Sequence, residues 1–219
     1  MEGPMVSSAP AETAEADRVP AGQSPERVGM FFDAVLAIAI TLLVLEIKRP
    51  EGEEARHLLR FMADNWSGFL DYFIAFSMLW VVWRSHHKLL DRVERLRGTA
   101  MFLHMPLLLF AAFLPYPTGL LGTDDTQPVA ITFFAGTWAV IVFLEALVAV
   151  SVRRMGLLRD EHNSREVAAE EPTLFLVSGY FALTAVAAWW VPDIEWAWLA
   201  TPILVRAGDR LGRVWARRR

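Results

Sequence analysis

Three stretches of this chain, 98–123, 126–144 and 172–192, carry no charged residue. A bilayer core about 30 Å thick is crossed by roughly 20 apolar residues of helix. Runs of that length constrain the fold more than any average does. The 219 residues are 54% hydrophobic and 21% charged, a mixture that would also suit one large soluble domain. The distribution argues against that option, because polar ends dilute a membrane-like middle. Residues 1–26 are rich in Ala, Glu, Pro and Ser, and six of the last 14 residues are arginines. Nine Trp and 14 Phe fit aromatic belts at the two membrane interfaces.

The pattern predicts six spans in an all-α polytopic membrane protein. The first is 28–47, whose charge-free heart 34–45 lies between Asp33 and Glu46 and which Lys48-Arg49-Pro50 closes. The second, 66–87, has Asp71 near its start and Arg84 near its end. The third, 99–121, holds Pro106, Pro115 and Pro117; kinks are tolerated in bilayer helices where neighbours satisfy the freed carbonyls. The fourth, 129–152, encloses Glu145. A polar linker at 153–171 leads to the fifth, 173–191, and Pro192-Asp193 turns into a short sixth at 195–205, open to an amphipathic continuation beyond Arg206. Residues 1–26 read as a disordered cytoplasmic tail, 27–205 as the membrane domain and 206–219 as a basic cytoplasmic tail.

Basic residues orient such a chain. Seventeen of the 21 Lys and Arg residues lie in the two tails and in the second and fourth connections, counting Arg84. The other four, Lys48, Arg49, Arg56 and Arg60, are all in the first connection. Both termini are therefore expected in the cytoplasm, with the C-terminal arginines against anionic lipid heads. The formal net charge of −4 says little, because the charges are segregated along the chain. Residues 1–26 lack the basic start and apolar stretch of a secretory signal. No internal motif repeats between spans one to three and four to six, which gives an inverted-repeat transporter weak support.

Several chemistries find no support. Zero Cys excludes disulfides, thiolate metal sites and Cys nucleophiles. The chain shows no Gly-x-Ser-x-Gly, phosphate-cradling loop or H-E-x-x-H. His86 and His87 are adjacent, so they point to different faces of a helix, and no metal site is expected. His104 reads as a hydrogen-bonded packing residue. No enzyme, cofactor or nucleic-acid partner is anticipated. No arginine series marks a voltage sensor, and no TVGYG-like segment marks a carbonyl filter.

The charges at span boundaries are the candidate functional residues. Arg27 and Asp33 open the first span, and Trp80, Trp83, Arg84 and His87 fall at i, i+3, i+4 and i+7 on one face of the second. These two groups lie at the same membrane level, which suggests a polar network; an interfacial Arg beside a helix-start Asp is the plainer alternative. Glu145 inside an apolar run is a functional candidate by default, with an interfacial position as the other reading. Asp71 reads as interfacial. A secondary transporter using Glu145 or Asp71 as coupling carboxylate is the alternative to a channel.

Arg27-x-x-x-Phe31-Phe32-Asp33, followed by Ala37-Ile38-Ala39-Ile40-Thr41-Leu42-Leu43, resembles the R-x-x-x-F-S-D first-helix signature of the transmembrane protein 175 family of potassium channels. Trp83 with His86-His87 resembles the family's second-helix end, and Leu114-Pro115-Tyr116-Pro117-Thr118 its third-helix end. The resemblance runs over about residues 26–210 in span number and order, and departs where the family's Ser is Phe32. It implies a prokaryotic homotetramer of six-helix units in the cell membrane, built around the first helix and conducting potassium passively. On that basis Ile38, Leu42 and Leu45 form an apolar constriction. Arg27, Phe31, Asp33, Trp83 and His87 form the network that holds the pore helix. Independently, steps of four and three residues put Ile38, Leu42 and Leu45 within about 60° on a helix, spread over about 11 Å. Asp33 falls about 140° from Ile38, facing a neighbouring helix. Thr41, about 60° from Ile38, borders the lumen. Glu46, next to Leu45, is placed as an acidic ring at the outer mouth. Ala37 stands where some family members have Ser, so modest preference for potassium is expected. Without the resemblance, the apolar stripe would read as ordinary packing or lipid contact.

Overall fold

The computed structural model describes residues 22–121 and 127–216. The predicted tail up to position 21, the turn at 122–126 and positions 217–219 lie outside them. The described residues form helices: α1 (Pro25–Leu42), α2 (Leu58–Asp64), α3 (Trp66–Asp91), α4 (Gly98–Phe102), α5 (His104–Phe113), α6 (Pro115–Leu121), α7 (Gln127–Arg154), α8 (Glu161–Ala187) and α9 (Thr201–Ala216). Short 3₁₀ turns cover Leu43–Glu46, Gly52–His57 and Ile194–Ala200.

The start of α1 is set locally. Ser24 caps it, its hydroxyl oxygen accepting from Arg27 N–H, and Pro25 fills the first turn, where no N–H is needed. Val28, Phe32, Leu36, Ala39 and Leu43 recur at helical spacing and are buried in the subunit core. The third predicted span is one path broken twice. Leu103 interrupts it three residues before Pro106, and Leu114 interrupts it immediately before Pro115, as expected where a proline lacks its N–H and crowds the preceding turn.

The linker predicted at 153–171 is corrected: from Glu161 onward it is the first half of α8. Asp160 caps that helix by accepting from Asn163 N–H at 2.7 Å, and its acids are paired. Glu166 and Glu170 accept from Arg92 at 2.5 and 3.0 Å, and Lys88 donates to Glu170 at 2.5 Å. Arg153 donates to both Glu171 oxygens at 2.6 and 2.8 Å. Paired charges let a polar segment stay helical beside the bundle. Pro172 is accommodated inside the helix.

Regular register shows that α7, α8 and α9 run antiparallel to their neighbours in sequence. Ser178 Oγ donates to Ala139 O and Thr132 Oγ1 to Ala185 O, both at 2.8 Å. On the other side Trp198 Nε1 donates to Thr184 Oγ1 at 3.2 Å and Thr173 Oγ1 to Asp209 Oδ1 at 3.0 Å. Four helical stretches are long and apolar enough to cross a membrane: Pro25–Glu46, Trp66–Leu90, Gly98–Leu121 and Pro128–Arg154.

One end of the bundle gathers the basic connections. Gln23 and Leu96 exchange backbone hydrogen bonds at 2.8 and 2.9 Å. Glu94 N–H donates to Leu157 O at 2.9 Å, and Arg159 N–H to Arg92 O at 3.0 Å. The entry to α1, the α3–α4 connection and the α7–α8 connection thus meet in one layer.

Candidate functional site

The first helix has two faces. The buried one anchors it; the other is an unbroken exposed stripe of Arg27, Met30, Phe31, Ala34, Ala37, Ile38, Thr41, Leu42 and Leu45. Ile38, Leu42 and Leu45 are 61, 41 and 53% exposed in the isolated subunit. The α-helix ends at Leu42 and tightens to 3₁₀ geometry over Leu43–Glu46, which the sequence reading treated as continuous α-helix. In a 3₁₀ turn residues i and i+3 eclipse, so Leu45 sits directly above Leu42 and the apolar stripe stays straight. Thr41 lies on the same face, with its hydroxyl donating back to Ile38 O at 2.8 Å.

The tightening redirects Glu46. At about 120° per residue it turns well away from the Leu42–Leu45 line. Its carboxylate lies against Gly119 of α6, in space that any Cβ there would fill. Leu43, Ile47, Asn65, Ser67, Asp71, Tyr72 and Thr118 help to line this crevice of about 140 Å³. Glu46 is thus exposed beside Leu45 while its carboxylate leans on α6 of its own subunit, at the crevice that Asp71 also lines.

Asp33 lies behind the stripe. Trp83 Nε1 donates to Asp33 Oδ1 at 2.7 Å, and His87 Nε2 is 3.5 Å from Oδ2. Trp83 packs on His87 with ring centroids 4.7 Å apart and on Trp80 at 4.8 Å. Two members of the expected network stand apart. Arg27 is exposed about 120° around α1 from Asp33, and its guanidinium has no polar partner among the described residues. Phe31 is exposed on the same outer stripe. Six-residue spacing on a helix cannot bring Arg27 and Asp33 to one face, and that geometry separates them.

A second cluster joins side chains that lie far apart in the sequence. Phe32, at the position where the resembling family carries Ser, is fully buried and stacks on His86 with centroids 3.9 Å apart and planes at 16°. His86 Nδ1 lies 3.2 Å from each Glu145 carboxylate oxygen, so Glu145 belongs to the subunit interior and not to an interface. His104 meets His86 edge-on and places Nδ1 2.8 Å from Ala100 O. The adjacency of His86 and His87 was the available signal: one must point inward when the other reaches Asp33. No group of three His, Asp or Glu side chains suited to a metal ion occurs among the described residues.

The sequence profile described as "Endosomal/lysosomal potassium channel TMEM175" matches residues 27–115, which hold the Asp33–Trp83–His87 contact and every member of the second cluster except Glu145. A potassium channel of Chamaesiphon minutus is 31% identical over 175 residues, covering 74% of this chain and 85% of that protein. The chain belongs to the TMEM175 family. A second relative, a potassium channel of Streptomyces collinus, is 31% identical over 121 residues, covering 55% of this chain and 59% of its own. The crystal structure of a lysosomal potassium-selective channel TMEM175 homolog from Chamaesiphon minutus superposes with a TM-score of 0.67 at 25% identity. It covers 88% of this chain and 97% of that one. The human endosomal/lysosomal proton channel TMEM175 is 27% identical over 130 residues, which are 58% of this chain but only 25% of the human protein.

Proposed function

We propose that this chain is a passive potassium channel in which four copies surround α1 and Ile38, Leu42 and Leu45 form the constriction. The carrying observation is the exposed, aligned apolar stripe on α1, in a chain whose bacterial relatives are named potassium channels. Lipid tails would also accept such a stripe, and the relatives named potassium channels are what favour a shared axis. Three stacked apolar rings exclude water when closed, and a cation passing them sheds hydration. Thr41 borders the lumen one helical step away. The Asp33–Trp83–His87 bonds hold α1 against α3 and fix the direction in which the stripe points.

Six crossings suit the alternation of antiparallel helices, with α8 and the segment from Ile194 through α9 forming the fifth and sixth. The layer built from the α1 entry and the second and fourth connections is the basic end, and its Lys and Arg residues support a cytoplasmic side for both termini. The channel domain proposed at 27–205 extends past Arg206, since 206–216 continue α9 against α8. Selectivity for potassium over sodium is modest, because Ala37 stands where some family members have Ser.

The test is ion flux from liposomes that contain verified amounts of the purified chain. A potassium gradient should drive a leak that is ohmic and unsaturated; absence of leak sinks the proposal. Ile38→Asn should raise the current by favouring wetting of the constriction, and unchanged conductance would remove Ile38 from the gate. The vertebrate relatives named proton channels favour a second reading, proton passage through the same path. Reversal potentials in opposed potassium and proton gradients separate the two.

A further inference from the structure

Glu145 and His86 form a pair that the conducting stripe does not use. Glu145 comes from α7 and is 3% exposed; His86 comes from α3 and is 0% exposed. No Lys or Arg pairs with Glu145 among the described residues; His86 is its charged-group partner. The groups facing the pair are Phe32 from α1 and His104 from α5. His87, about 100° around α3 from His86, and Asp33, next to Phe32 on α1, occupy the neighbouring face.

Charge balance and donor chemistry assign the hydrogens. A bare carboxylate beside a neutral imidazole would leave one uncompensated negative charge in the bundle interior. A carboxylic acid beside an imidazolium would leave one positive charge. Both are expensive in a water-free environment. A single proton shared between carboxyl and Nδ1 cancels either charge, and it belongs to the pair and not to one residue. Whether it sits on oxygen or on Nδ1, His86 Nε2 must also bear a hydrogen. His104 Nδ1 lies against a carbonyl, which only accepts, so that nitrogen carries its hydrogen and Nε2 is left as a bare lone pair. The two Nε2 atoms are buried without partners of their own. One is thus a donor and the other an acceptor, on rings that meet edge-on with centroids 5.0 Å apart, and no hydrogen bond joins them.

We propose that Glu145 and His86 hold one shared proton inside each subunit, with the His104 ring packed edge-on against His86, and that α1 rests on this pair through the Phe32–His86 stack. Glu145 and His86 are then positioning residues for the helix that carries the stripe. Only that last clause depends on reading α1 as pore-lining.

The decisive measurement is ¹⁵N NMR of histidine-labelled full chain in liposomes, with the His86 signals assigned by their loss in His86→Gln. The expected pattern is His86 protonated at Nε2 alone or at both nitrogens, and His104 protonated at Nδ1. A His86 protonated at Nδ1 alone would mean an ionised Glu145 beside a neutral ring, and it overturns the proposal. This readout is independent of conduction. The second arm is rescue. His86→Gln alone leaves the carboxyl without its base and should lower thermal stability and potassium flux. Adding Glu145→Gln supplies a neutral amide pair and should recover most of both. A double variant no better than His86→Gln refutes a shared charge.

Discussion

At residue scale the informative position is Phe32. The resembling signature carries Ser there, yet this chain buries a phenyl ring against His86 with no exposed surface. Restoring Ser would repair the motif and empty the site. Phe32→Ser should cost about 3–5 kcal/mol, the range for deleting a large buried side chain. Thermal unfolding of the purified protein measures it; an unchanged midpoint would mean that neighbours close the gap. Trp83→Phe is a finer probe. It keeps ring packing on His87 and Trp80 but removes the N–H that Asp33 accepts at 2.7 Å. The expected loss is about 1–3 kcal/mol, because a part-buried carboxylate loses a charge-assisted bond. The same assay decides it. The Asp33–Trp83–His87 contact was legible, since i, i+4 spacing on one helix and a level match with the other suffice to bring those side chains together. The Glu145–His86 contact was not: its members are 59 positions apart, and only the packing of α3 on α7 selects that partner. Arg27 lies about 120° around α1 from Asp33 and joins the exposed stripe within the subunit.

At element scale the least legible segment was the first half of α8. Its charges read as a linker because hydropathy weighs each residue alone, whereas Arg92, Lys88 and Arg153 neutralise its acids from other helices. The 3₁₀ tightening after Leu42 was hidden for a related reason, as no proline or glycine marks it. The α8–α9 hairpin depends on close approach. Gly208 lies against Thr173 and Gly212 against the Ala169 carbonyl, so a Cβ on either would collide with α8. Two glycines four residues apart let helix backbones meet in a membrane. Gly212→Leu should therefore separate the C-terminal half of α9 from α8. Amide hydrogen exchange in residues 205–216 should rise markedly while exchange in α3 and α7 stays unchanged. Equal protection in variant and parent would show that the close approach is dispensable.

At the scale of the whole molecule the question is how many times the chain crosses the bilayer. The long charge-free runs and the asymmetry of basic residues made a membrane bundle readable from the start. Four helical stretches meet length and apolarity together. The α8–α9 hairpin is the undecided pair, because charge fills the first half of α8 and a 3₁₀ turn precedes α9. Four crossings and six crossings both return the chain to the side of its N-terminus, so locating the termini cannot choose between them. The turn at Pro192-Asp193 can: six crossings put it opposite the cytoplasm, four put it inside. The chain contains no Cys, so single introduced thiols report without background. Glu53→Cys should react with a membrane-impermeant maleimide on intact cells, and Glu161→Cys only after permeabilisation. Pro192→Cys, exposed at the turn, should follow Glu53→Cys. If it follows Glu161→Cys instead, the hairpin does not cross, and the antiparallel register of α8 with α7 belongs to a folded cytoplasmic layer.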